Sequence, residues 1–128
     1  MEIPRGNCRD DNKARKQIIK DFYASWIADH PDKKIWNNAL RADIYVKFKS
    51  INETAGQASK SYESTLEVIH LSEILANASL IKVMPPKRGD SNQKPYSKML
   101  IMKYKKAMLV VGFQRSTGEY VQYCISRR

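Results

Sequence analysis

The sequence predicts an α+β fold: helices first, then a four-stranded antiparallel sheet (a meander), with the helices as a single layer on one sheet face. Two patterns predict it. Apolar residues recur at helical spacing through residues 11–29 and again through 62–77. From Leu80 onward they give way to short runs rich in Val, Ile, Met and Tyr, separated by turn residues. The 128 residues are read as a single domain, with 1–41 a helical extension and 42–126 the α+β core.

The first helix is expected over residues 11–29. Ile18, Ile19, Phe22, Tyr23, Trp26 and Ile27 lie on one stripe, and Asp10, Asp11 and Asn12 offer an acidic, cap-forming start. Pro31 biases His30 away from helical angles and ends it. Ile35 and Trp36 then read as one more helical turn. Residues 44–48 alternate β-branched or aromatic residues with polar ones, so a strand is expected with Ile44, Val46 and Phe48 on one face. Ser50 and Glu53 have capping-box spacing, which predicts a short helix running to Ala58. A longer helix over 62–77 would turn Val68, Leu71, Leu75 and Ala78 inward.

Strands are expected at 80–84, 98–104, 107–115 and 119–126. Residues 85–95, PPKRGDSNQKP, form a basic, turn-rich loop whose length suggests function or disorder. For the last hairpin, a three-residue loop with Gly118 in the left-handed position sets Arg115 opposite Glu119 and Phe113 opposite Val121. Val111 then faces Tyr123 and Leu109 faces Ile125, one continuous apolar face. The other face carries Gln114, Tyr120, Gln122 and Cys124 around Gly112. A glycine inside a strand leaves a gap that a ligand or another backbone can approach.

Charge is distributed unevenly. Residues 74–128 carry eleven Lys or Arg against Asp90 and Glu119, whereas residues 1–73 carry twelve bases and eleven acids. A surface of one sign attracts polyanions, so RNA or another nucleic acid is the expected partner. No apolar run approaches the ~20 residues of a membrane span, and the polar start contains no export signal, so a cytoplasmic protein is expected. There is no CxxC, HExxH or glycine-rich phosphate loop, and no metal or cofactor is expected. Cys8 and Cys124 are read as free thiols.

Three segments carry a resemblance. They are Ile44-Tyr45-Val46-Lys47-Phe48 running into Ser50-Ile51-Asn52-Glu53-Thr54, the helix end Leu71-Ser72-Glu73-Ile74-Leu75-Ala76-Asn77-Ala78, and Val121-Gln122-Tyr123-Cys124-Ile125. Together they resemble small phage and mobile-element domains grouped with the barnase/EndoU/RelE-like ribonuclease superfamily, over residues 42–126. The resemblance implies helices on one sheet face and metal-free RNA cleavage on the other, by attack of the 2′-hydroxyl on the adjacent phosphate. The basic half has no histidine, so the barnase-like Glu/His arrangement is not matched. A RelE-like site of cations assisted by a tyrosine fits better.

On that reading Arg115, Tyr120 and Lys103 are the candidate catalytic residues, with Arg and Lys stabilising charge on the phosphorus. Lys98, Gln114, Gln122, Lys87, Arg88 and Lys94 are the candidate nucleic-acid-binding residues. Each has a structural alternative. Arg115 could be a hairpin-end ion pair with Glu119, Tyr120 a packing residue, and Lys98 and Lys103 edge charges. Met99, Ile101, Met108 and Val110 share the Gly112 face and require cover, from the N-terminal helix, a second copy or a protein partner. The alternatives to a ribonuclease are therefore a non-catalytic nucleic-acid-binding module and a protein-interaction domain of a mobile element.

Overall fold

Helix α1 (Arg9–Asp29) opens the fold in a computed structural model that describes residues 2–127. It starts two residues earlier than its apolar stripe suggests, because Cys8 serves as the N-cap and its thiol accepts from the Asp11 amide at 3.4 Å. Its buried residues are Arg15, Ile19, Tyr23 and Trp26. The Trp26 indole donates to Ser72 Oγ at 2.8 Å and stacks on His30, ring centroids 4.2 Å apart.

Ile35 and Trp36 belong to a strand, not to a helical turn. β1 (Lys34–Asn37) pairs antiparallel with β2 (Ala42–Tyr45). Fully buried Asn37 fixes this hairpin: its amide donates to the carbonyls of Leu75 (2.8 Å) and Ala78 (3.0 Å), and its oxygen accepts from the Leu40 amide. The hydrogen-bonding capacity of one side chain thus holds the turn against a helix end.

The strand expected to reach Phe48 stops at Tyr45, and Phe48, 78% exposed, is already in helix α2 (Phe48–Ala58). The expected capping box is therefore displaced. Ser50 is buried in the first turn and accepts from the Lys47 amide at 2.9 Å, so Glu53 is not needed as a cap. The predicted 62–77 helix is two helices, α3 (Tyr62–Val68) and α4 (Leu71–Asn77), separated by Ile69 and His70. Weak helix formers at 68–70 allow that break.

Four strands follow, β3 (Ser79–Met84), β4 (Lys98–Tyr104), β5 (Ala107–Gln114) and β6 (Glu119–Arg127), each antiparallel to the next. The fold is α+β as expected, but the sheet is six-stranded and mixed, ordered β1-β2-β6-β5-β4-β3, and not the four-stranded antiparallel sheet expected, because β1 and β2 join it alongside β6. β2 runs parallel to β6, with Ile44 beside Tyr120 and Tyr45 beside Val121. β6 is consequently an interior strand rather than an edge.

All four helices contribute to a core on one sheet face. Ile19, Tyr23 and Trp26 of α1 join Ala55, Val68, Leu71 and Leu75, and these pack with Ile44, Leu100, Met102, Leu109, Val111 and Ile125 of the sheet. On the opposite face, hereafter the outer face, Tyr96, Met99, Val121 and Tyr123 form a separate cluster. Helix α1, expected as a lid for this face, packs mainly against α2 on the other side of the sheet.

The last hairpin is one residue out of the expected register near its tip. Gln114 faces Glu119, Phe113 faces Tyr120, Gly112 faces Val121 and Val111 faces Gln122. The loop is Arg115–Gly118 in four residues, with Gly118 left-handed at φ 72°. A bulge between Val110 and Val111 takes up the extra residue, and Leu109 does face Ile125 as expected. Because a one-residue slip swaps faces, Gln122 turns inward while Val121 and Tyr123 turn outward.

Candidate nucleic-acid interface

The basic segment between β3 and β4 is a succession of turns. The amides of Asp90, Gln93 and Lys94 donate to the carbonyls of Lys87, Asp90 and Ser91, and Gly89 is left-handed at φ 77°. One side chain bridges it, the Lys87 amide donating to Gln93 Oε1 at 2.7 Å, and a second tightens the turn within it, the Asn92 amide donating to Asp90 Oδ1 at 2.9 Å. At its far end Tyr96, 5% exposed, lies flat on Gly112. A Cβ at position 112 would sit 2.5 Å from the Tyr96 ring. The gap expected at Gly112 is therefore filled, and filled by this loop.

Lys87, Arg88 and Lys94 are all exposed and line one hollow of about 430 Å³, together with Gly89, Asp90 and Gln93. Asp90 is the only acid in that lining. These three expected binding residues are brought together.

The other expected residues are not. Lys98 and Lys103 are an odd number of positions apart on β4, so they point to opposite faces, about 17 Å apart along the strand. Lys98 lies over the Phe113 ring, Nζ 5.1 Å from its centroid. Lys103 is exposed at the other end, level with Met108 and Ser79. Arg115 is exposed at the hairpin tip, and Glu119 pairs with Lys47 instead of with it. Tyr120 is half-buried on the helix side, its ring 5.0 Å from Phe113. Gln114 is half-buried beside Ser116.

Gln122, expected to orient a ribose or base, is fully buried. It accepts from the Tyr23 hydroxyl at 2.7 Å and donates to Thr54 Oγ1 at 2.7 Å, and the Tyr23 and Thr54 oxygens stand 3.3 Å apart. This closed polar ring joins α1, α2 and β6 and presents nothing to solvent. Arg115, Tyr120 and Lys103 thus occupy the hairpin tip, the inner face and the outer face at the far end of β4, and do not surround one phosphodiester.

Several groups of the fold are pushed away from neutrality. Burial, and then the Glu53 carboxylate, push the Cys124 thiol up to about 12. Burial raises Tyr23 and Tyr96, and Tyr123 is raised by burial and by nearby Glu53. A hydrogen bond from Lys47 lowers Glu119. General acid–base work favours groups tuned toward the working pH, which is the opposite direction. The Glu53, Tyr96 and Tyr123 neighbourhood was not legible as a group, because the bulge alone brings Tyr123 outward.

Two consequences follow for the thiols and phenols. Iodoacetamide at neutral pH should modify exposed Cys8 and leave Cys124 unmodified until the protein is unfolded, as mass spectrometry would record. The folded state also holds the Cys124, Tyr23, Tyr96 and Tyr123 protons more tightly than the unfolded chain. Stability should therefore be full below about pH 8.5 and fall progressively as pH rises from there toward the folded Cys124 value of about 12. Melting temperatures that stay level up to about pH 11 would contradict this assignment.

Among the described residues no group of three or more His, Cys, Asp or Glu could hold a metal ion, and no helix is long and apolar enough to cross a membrane. No curated protein and no solved structure matches the chain. The family model of the large polyvalent protein-associated domain 3 matches residues 13–112, from within α1 to within β5. The chain belongs to that family of phage- and mobile-element-associated domains.

Proposed function

We propose that this domain binds nucleic acid, RNA foremost, through its basic loop, and that it does so without cutting it. The observation that carries the reading is the meeting of Lys87, Arg88 and Lys94 around one hollow, in the half of the chain that holds nearly all the net charge. Cations held by a turn-rich loop contact phosphates without reading sequence, and they release counterions as they do so.

The resemblance to barnase/EndoU/RelE-like domains is supported by the order of elements, helices before a four-strand meander, and by helices gathered on one face. Cleavage finds less support, because Lys103 lies at the far end of the β4–β5 pair from Arg115 and Tyr120, Tyr120 faces the helix side, and an apolar cluster occupies the outer face. Binding without chemistry is the better fit.

Fluorescence anisotropy with a single-stranded RNA of about 20 nucleotides tests this. Raising salt from about 50 to about 200 mM should weaken binding by roughly 10- to 50-fold, for three to four contacted phosphates. The K87A/R88A/K94A variant should bind more weakly and lose about two units of the log–log salt slope. RNA incubated with the protein and a chelator should remain intact. An unchanged affinity in the triple variant would overturn the interface, and defined fragments would overturn the non-catalytic half.

A further inference from the structure

Among the described residues, β3 is the only strand exposed along its whole length, and it pairs on one side alone, with β4. Leu80, Ile81, Val83 and Met84 are each at least 40% exposed. Such an edge displays free backbone donors and acceptors beside apolar side chains, the combination that folded proteins usually blunt.

The register shows where each side chain goes. Leu80 pairs with Met102 and Val83 with Leu100, so both face the helix side, at a point where the helix layer no longer covers the sheet. Ser79, Lys82 and Met84 pair with Lys103, Ile101 and Met99, on the outer face. Beside Met84 the outer face opens into an apolar hollow of about 560 Å³, lined in part by Pro85, Met99, Ile101, Val110 and Tyr123. The edge thus continues an apolar surface on the helix side, whereas on the outer face it is polar at Ser79 and Lys82 and apolar only at Met84, beside the hollow.

Charge selects the occupant. Two copies joined through β3 would crowd their Lys82 and Lys103 ammonium groups onto one face, and the bulge at Ile81 breaks the flat register that self-pairing needs. An added strand of another sequence meets Leu80 and Val83 with every second side chain, and Lys82 with those between. Apolar residues suit the first set and carboxylates the second.

We propose that β3 is a docking edge for an extended protein segment that alternates apolar and acidic side chains, added to the sheet as a seventh strand. Main-chain hydrogen bonds supply the attachment, and the lysines and the bulge reject unsuitable strands. The inference rests on the edge alone and is independent of the nucleic-acid reading.

The probe is a fluorescent peptide of about ten residues alternating valine and glutamate, titrated against the intact protein. It should bind saturably, and its valine–lysine counterpart should bind about tenfold more weakly or worse. N-methylation of every second residue on the pairing edge should abolish binding. Lys82→Glu should reverse the charge preference. Val83→Lys should weaken binding by about tenfold while leaving melting temperature unchanged. Equal binding of the two peptides, or indifference to Val83→Lys, would overturn the proposal. So would a dimer in sedimentation that Val83→Lys dissociates, since that would give the edge to a second copy.

Discussion

Gly112→Ala is expected to destabilise the domain by about 2 kcal/mol, the ordinary range for overpacking a filled site. Its Cβ would lie 2.5 Å from Tyr96 Cγ and 2.7 Å from both ring Cδ atoms, so contact falls on the body of the ring and not on a flexible tip. The ring cannot slide far, because it meets Tyr123 edge-on at 6.1 Å and the loop returns to β5 through the Ser97 amide and the Phe113 carbonyl. In thermal melts the loss corresponds to roughly 6–10 °C for a domain of this size. The decisive measurement is a double-mutant cycle: in a Tyr96→Ala background the same Gly112→Ala change should cost almost nothing. Equal costs in both backgrounds would show that Tyr96 is not what fills the space.

Arg15→Ala should cost more, about 3–5 kcal/mol. The Arg15 side chain is fully buried, yet its partners are carbonyls and not carboxylates. Nε donates to Ser59 at 2.7 Å, and Nη1 to Pro4 at 2.9 Å and Gly6 at 2.7 Å, so one guanidinium ties the leading segment and the end of α2 to α1. Truncation leaves three acceptors without donors as well as a cavity. Arg15→Met keeps most of the volume and removes a desolvated charge, so it should cost about 2 kcal/mol. Urea unfolding of the two variants separates the contributions, and proteolysis within residues 2–8 should accelerate in both. An Arg15→Met protein as stable as the parent would mean that those hydrogen bonds contribute nothing net.

These two sites also show where the sequence was legible. The stripe of α1 was plain from Ile19, Tyr23 and Trp26, but Arg15 one turn earlier gives no apolar signal, and its burial depends on carbonyls of the leading segment and of distant Ser59. The turn at Gly118 was readable from the need for a left-handed residue. The bulge near Tyr123 was not, because an extra residue in a strand leaves no compositional mark, and it moved Gln122 from a supposed binding face into the core. β1 was missed because four residues are too few to show a period, and Asn37, which fixes it, is bonded to the end of α4 as well as to Leu40. Proline, glycine and lysine marked the loop as a candidate interface, while the contact that closes it onto Gly112 comes from Tyr96, sixteen positions away. Signals carried by composition and spacing, such as the α1 stripe and the Gly118 turn, could be read; register, bulges and hydrogen-bond partners could not.

The parallel seam between β2 and β6 constrains the order of assembly. A ribosome makes the helices and the first hairpin early, yet the partner that fits between β2 and β5 emerges at the very close of the domain. Until residues 119–127 clear the exit tunnel, the apolar sides of α2 and α3 have no strand beneath them, and nascent polypeptide must wait with that surface bare. The sheet of this domain therefore cannot be completed before its last strand is available.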